Sequence, residues 1–217
     1  MARRNDHSKD EIRRLAIDAA FVLLNKQGIE GVTARKIAAE IGYSAGSLYQ
    51  VFSNLDELFW ELNLRTQTKL MNTLKTSVHG QSLSPKALLV SYATDYLAFS
   101  KKHPDEWSLL FEHRSSVQSQ LPHQMVDQID ALFALVEQPL KTLKPNADSA
   151  SLSLAAKTLW SGVHGITTLS AHHKLFLPVE GHESAMINQL VSHFLTGWCS
   201  QEPMVTDDPV QGKEIAS

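Results

Sequence analysis

Residues 33–59, TARKIAAEIGYSAGSLYQVFSNLDELF, constrain this chain more than any other stretch. They read as two short helices joined by a tight turn, with a third beginning behind them. Thr33 caps the first helix, and Ile37, Ala38 and Ile41 recur at helical spacing on one face. Gly42 ends it, because glycine enters the left-handed conformation of a helix C-cap without strain. Ser44 caps the second helix, and Leu48 and Phe52, four residues apart, point back at the first. The opposite side carries Ala45, Ser47, Tyr49 and Gln50, which are small or hydrogen-bonding and uncharged. An apolar back, a small polar front and a glycine turn just before them make the layout of a helix-turn-helix.

The rest of the chain supplies the setting for that hairpin. At 217 residues, 43% hydrophobic and 20% charged, it has the composition of an ordinary globular protein with room for a sizeable core. Its one cysteine, Cys199, excludes an internal disulfide and a cysteine zinc cluster, and suits a reducing cytoplasm. The opening MARRNDHSKDEIRR lacks the apolar core of a signal peptide, and no run is apolar enough to span a bilayer. A cytoplasmic location and no membrane partner are expected. The net charge of −3 hides an asymmetry. Residues 1–55 carry eight Lys/Arg against six Asp/Glu, so a basic end sits on an acidic body.

Periodicity predicts an all-α fold of about nine helices, with no strand. Ser8 and Glu11 form a capping-box pattern, and Ile12, Leu15, Ala16, Ala19, Ala20 and Leu23 carry the first helix to Lys26. Its exposed side holds Arg13 and Arg14, read equally as solvated or as phosphate contacts. Asn54 opens a long helix to about Lys75, with Leu58, Phe59 and Leu62 on the hairpin side and Leu70, Met71 and Leu74 on the other. Residues 85–102 are apolar nearly all round, as in the centre of a bundle. Further helices are expected after Pro104, over 123–141 with Pro139 kinking or ending it, and over 151–174 and 181–199. The organisation expected is a DNA-binding unit at 1–54, a helical ligand-binding and dimerisation domain at 55–199, and a disordered tail at 200–217.

From about residue 8 to residue 62 the sequence resembles the DNA-binding domain of the TetR family of transcriptional regulators. The resemblance rests on residues 19–24, Gly28, Thr33, Ile37, Ala38, Ile41, Gly42, Ser44, Gly46, Ser47, Leu48, Tyr49, Phe52, Leu58 and Phe59. It implies a homodimeric repressor that binds an inverted-repeat operator in double-stranded DNA and is released by a small-molecule effector. On that reading Thr33, Arg35, Lys36 and Tyr49 hold phosphates. Ala45, Gly46, Ser47 and Gln50 approach base edges, with Ser44 at the helix start. Val51 and Leu55 depart from the family pattern, where His or Tyr and Lys often stand.

Within residues 159–170, Trp160 and His164 lie four apart, beside a stripe of Ser161, Gly165 and Thr168. This Trp-x-x-x-His-Gly string is similar to one in the C-terminal domain of a TetR subgroup. Two glycines inside one helix, Gly162 and Gly165, call for the close approach of another helix. The resemblance implies that the last two long helices form a four-helix interface between subunits. It also implies a small-molecule cavity among the helices of residues 58–175. Tyr92, Tyr96, Phe99, Trp107, Phe111, Phe133 and Trp160 are the aromatic candidates for its wall, with His164 beside them. Each also reads as plain core, and Trp160 with His164 as a core tryptophan beside a hydrogen-bonded histidine.

Ten histidines invite a metal, but no Glu-x-x-His pair occurs on an expected helix, and adjacent His172 and His173 diverge by about 100° on one. Nothing resembles a catalytic triad, a phosphate-cradling glycine loop or an activated thiol. No catalytic residue, metal or cofactor is expected. Two other readings stay open: a DNA-binding protein of this fold without an effector, and an all-α enzyme that carries the hairpin.

Overall fold

A computed structural model of the chain describes residues 7–111, 122–176 and 182–200. Among these, nine α-helices and one 3-10 turn make up the regular structure: α1 (Lys9–Gln27), the turn Ile29–Gly31, α2 (Ala34–Glu40), α3 (Ala45–Leu48), α4 (Leu55–Ser77), α5 (Pro85–Lys102), α6 (Pro104–Phe111), α7 (His123–Leu143), α8 (Ser149–Ala171) and α9 (Glu183–Ser200). The all-α architecture expected from the periodicity is the one observed. Residues 1–6 and residues 201–217 of the expected tail lie outside the described residues, and Ser200 closes α9.

The helix starts follow from short polar residues placed one step before them. Ser8 and Glu11 close a full capping box on α1. Thr33, Ser44, Asn54, Ser84 and Asp148 each accept a backbone N–H three residues on, which satisfies one donor that the helix leaves free. Gly28 and Gly42 follow α1 and α2 with φ of 67° and 74°, a region that costs other residues strain. Pro139 does not end its helix. α7 runs through it to Leu143 with Pro139 buried, so core contacts outweigh the lost backbone bond.

Two apolar clusters form the interior. One joins Ala16, Ala20, Leu23 and Leu24 of α1 to Ile37 of α2, Leu48 of α3, Phe52, and Leu58, Phe59 and Leu62 of α4. The other joins Leu70 and Leu74 of α4 to α5, Trp107, Leu140, α8 and α9. α5 touches α4, α6, α7, α8 and α9, as its nearly continuous apolar surface predicts. α4 thus contributes to both clusters. So does α6, with Trp107 in one and Leu109 in the other.

Polar contacts fasten the seam between the clusters. Arg13 donates to Glu57 at 2.8 Å, to Glu61 at 2.6 Å and to the Val51 carbonyl at 2.8 Å, with its guanidinium 4.4 Å from the Phe52 ring centroid. Neither a solvated nor a phosphate-facing reading of Arg13 survives: it clamps α1 onto the start of α4. Lys69 of α4 donates to Glu106 of α6 at 2.8 Å, and Glu106 is only 1% exposed. His103 lies 3.2 Å from the same ammonium. Burial, with the Lys69 charge behind it, lowers the His103 pKa against the opposing pull of Glu106.

Candidate nucleic-acid interface and interior cavity

α2 and α3 meet at a sharp turn in which the Tyr43 N–H reaches the Ala38 carbonyl at 2.8 Å. Ile37, Ala38 and Leu48 turn inward and are buried, as is Phe52 beyond α3. α3 itself is a single turn, so Phe52 reaches the core from the segment after it rather than from the same helix. Leu48 and Phe52 therefore seat the hairpin, and Tyr49 and Gln50 between them face out. Thr33, Arg35, Lys36, Ser44, Gly46, Tyr49 and Gln50 are exposed, while Ala45 and Ser47 are half-buried. Tyr49 is 55% exposed, a large aromatic surface left in solvent beside the hairpin turn.

Several of these groups already have partners. The Thr33 hydroxyl caps α2 and the Ser44 hydroxyl caps α3, where it also meets the Ser47 hydroxyl at 3.0 Å. Lys36 folds back onto α1 and donates to the Gln27 side chain at 2.6 Å. That neutral partner leaves its charge uncompensated. Just outside the hairpin, His7 meets the Tyr43 hydroxyl at 2.8 Å, tying the start of the described chain to the turn. Val51 and Leu55 pack against the N-terminal cluster and the Val51 carbonyl holds Arg13. At these two places the chain has apolar packing where the resemblance led to the expectation of polar groups.

Behind this surface the helical body holds a cavity of about 350 Å³, lined from α4, α5, α6, α7 and α8. Five of the aromatic candidates, Tyr92, Tyr96, Phe111, Phe133 and Trp160, stand in its wall, with Gln67, Leu70, Leu74, Met125, Ile129, Leu132 and Val136. Three candidates do not. Phe99 turns toward His103, with ring centroids 4.8 Å apart. Trp107 is buried behind the wall against Tyr96, Phe111 and His164. His164 lies between Trp160 and Trp107, stacked at 5.0 Å and 5.6 Å.

His164 is occupied by its neighbours. The Trp160 indole N–H donates to the Tyr96 hydroxyl at 3.2 Å, and that hydroxyl meets His164 Nδ1 at 2.9 Å. His164 Nε2 lies 3.3 Å from the Thr168 hydroxyl. With the tyrosine donating to Nδ1, the imidazole proton sits on Nε2 and bonds Thr168, a neutral ring. Burial, which lowers its pKa, favours the same state. Burial also raises the Tyr96 phenol. The Trp-x-x-x-His pair is therefore an internal brace that positions Trp160 and Tyr96 on the cavity. Sequence spacing put the two residues on one face; it carried no sign of their partner, 64 to 68 residues earlier.

The two glycines of α8 differ. A Cβ at Gly162 would meet Leu190 of α9 at 2.8 Å, so Gly162 is where the last two helices approach closely. A Cβ at Gly165 meets nothing within 4 Å. Leu154 and Leu169, on the same face as Gly165, are 55% and 44% exposed. No group of three or more metal-ligating side chains occurs among the described residues, and no described helix is long and apolar enough to cross a membrane.

Comparison with known proteins bears on both halves. Residues 16–62 match the family described as bacterial regulatory proteins, tetR family, and residues 89–194 match the tetracyclin repressor-like C-terminal domain. Over 199 residues the chain is 24% identical to the HTH-type transcriptional regulator PksA of Bacillus subtilis (strain 168), covering 89% of this chain and 92% of that protein. Among solved structures, a protein with unknown function from Rhodococcus sp. RHA1 superposes with a TM-score of 0.66 at 21% identity, covering 90% of this chain and 98% of that one. A TetR-like transcriptional regulator from the same source gives 0.61 at 20% identity, covering 86% and 96%. At such identities the structures speak for the fold alone. The two family matches take in the hairpin with its supporting helices and then the body that holds the cavity, and the chain belongs to the TetR family of DNA-binding transcriptional regulators.

Proposed function

We propose that the protein is a homodimeric repressor that leaves an inverted-repeat operator when a small molecule occupies the interior cavity. The observation that carries this reading is the position of α4. Its first turns, with Leu58, Phe59 and Leu62, belong to the cluster under the hairpin, and Gln67, Leu70 and Leu74 on the same helix line the cavity. A rigid element shared by two packed regions transmits a shift in one to the other, provided the ligand binds the two states unequally. In this reading residues 1–54 read DNA and residues 55–199 bind ligand and dimerise. Tyr49, Thr33, Arg35 and Lys36 contact phosphates. Ala45, Gly46, Ser47 and Gln50 approach bases, with Ser44 fixing the start of α3.

Recognition is tested on duplexes selected from a random library. Lys36→Ala lowers the magnitude of the log K against log salt slope by about 0.9 if the ammonium leaves Gln27 to neutralise one phosphate. Tyr49→Ala weakens binding to every sequence and leaves the slope nearly unchanged, since tyrosine carries no charge. Gln50→Ala changes base preference. Wild-type affinity, slope and footprint in all three variants mean that this surface does not dock on DNA.

The dimer rests on the open face of α8. Leu154, Ser161, Gly165 and Leu169 fall on one side of the helix, with exposed leucines at its ends and small residues between. A two-fold axis there would set two recognition helices on half-sites roughly 34–36 Å apart. Gly165→Leu is expected to leave the protomer folded, because its Cβ has open space, and to disperse the dimer by wedging the partner helix away. Sedimentation that finds the variant as dimeric as wild type, or wild type monomeric at micromolar concentration, rejects this interface.

A further inference from the structure

Charge, more than any single polar atom, distinguishes the cavity wall. Four side chains in it carry nitrogen or oxygen: Gln67, Tyr92, Tyr96 and Trp160. The rest of the described wall is aliphatic, thioether or phenyl, with no Lys, Arg, His, Asp or Glu. Trp160 and Tyr96 satisfy each other, and Tyr96 is further tied to His164. Gln67 is 4% exposed and its Oε1 is closed off by packing, so the cavity meets no open acceptor there. The Tyr92 hydroxyl has no hydrogen-bond partner among the described residues, and burial raises its pKa, as it does that of Tyr96. Both phenols are uncharged at neutral pH. A phenol hydroxyl donates and accepts alike, so Tyr92 suits a polar atom of either kind. The Lys157 ammonium lies 5.8 Å from the Phe133 ring centroid, but it is exposed and does not line the cavity. An ionised group entering such a site leaves its hydration and finds no opposite charge.

We infer that the cavity selects by charge and apolar surface: it takes an uncharged, predominantly apolar molecule and rejects the carboxylate or ammonium of the same shape. The inference rests on the reading of this cavity as the effector site and adds the chemistry that it selects. Because the open polar group in the wall is a hydroxyl, the cavity sets no rule between a ligand that donates a hydrogen bond and one that only accepts. Size agrees: at about 350 Å³ the space lies at the small end of ligand pockets, suited to a compact ring or short chain rather than a conjugate such as a nucleotide. Apolar contact falls partly on Leu70 and Leu74 of α4, the helix shared by the two clusters, so what binds the ligand touches the element assigned to transmission.

The test uses the full-length protein and four probes of nearly one shape: 4-butylphenol, 4-butylanisole, 4-butylbenzoate and 4-butylbenzylamine. At neutral pH the first two are uncharged, the third is an anion and the fourth a cation. Calorimetric titration is expected to place the phenol and the anisole within about tenfold of each other, the reach of one neutral hydrogen bond. Both ions should bind about a hundredfold more weakly than the phenol, or worse. Leu132 and Val136 are half-buried wall residues of α7, so Leu132→Lys and Val136→Lys each bring a cation to the site. Either variant that melts cooperatively should raise the benzoate-to-phenol affinity ratio by about tenfold and leave the amine rejected. Wild-type binding of either ion as tight as that of the phenol overturns the inference. So does a gap between phenol and anisole well beyond tenfold, an unchanged benzoate-to-phenol ratio in the folded lysine variants, or no binding of any probe. Operator release is measured separately. A phenol that binds with the expected ranking but leaves DNA affinity unchanged supports the chemical class and refutes the effector reading.

Discussion

Trp107→Ala is expected to cost about 3–5 kcal/mol of stability, a large part of what holds a domain of this size together. The indole is 2% exposed and meets Tyr96 at 4.7 Å, Phe111 at 4.4 Å and His164 at 5.6 Å, centroid to centroid. Its removal leaves a void behind the cavity wall and unseats the Tyr96–His164 brace. The loss should also reach the DNA-binding unit. Leu109, two residues on and fully buried, packs in the N-terminal cluster, so a disordered α6 withdraws a side chain from under the hairpin. Denaturant titration followed by far-ultraviolet circular dichroism reads the change in midpoint. A loss below about 1 kcal/mol would show that the aromatic cluster rearranges around the gap and that α6 is not a structural tie.

How much of this was legible in the sequence depends on how far each partner lies along the chain. The hairpin was legible because its determinants are local: Thr33 and Ser44 cap within three residues, Gly42 ends α2, and Leu48 and Phe52 show their spacing directly. The helices were legible for the same reason, with ends misplaced by a few residues where a cap such as Asp148 precedes the first apolar position. Arg13 was not legible. Its carboxylate partners stand 44 and 48 residues away, and a cation on a helix face looks the same whether it meets solvent, phosphate or Glu57. α6 was read as a short helix, and nothing in eight residues says that Trp107 and Leu109 enter different clusters.

The candidate cavity divides along the same line. Aromatic composition pointed to Tyr92, Tyr96, Phe111, Phe133 and Trp160, which do stand in the wall. It also pointed to Phe99, which the all-round apolar α5 presents to His103, and to Trp107, which α6 packs behind the wall against Tyr96, Phe111 and His164. Gln67 went unnoticed because a lone glutamine on a long helix carries no sequence signal of the cavity it lines. Gly162 and Gly165 looked alike in the sequence, and only the position of Leu190 separates a close helix approach from an open face.

The second large effect is the coupling between cavity and DNA. Couplings of about 1–3 kcal/mol are typical of such linked sites, so occupation of the cavity should weaken operator binding by roughly five- to 150-fold. Linkage makes the effect reciprocal, which gives the central claim its most direct test. A cavity ligand recovered from cell extract by its retention on the protein is titrated into the protein alone and into protein saturated with selected operator duplex. The account predicts weaker ligand binding in the presence of operator, by the same factor with which the ligand weakens DNA binding. Equal ligand affinities in the two titrations would contradict it, leaving a DNA-binding protein whose cavity does not speak to its recognition helix.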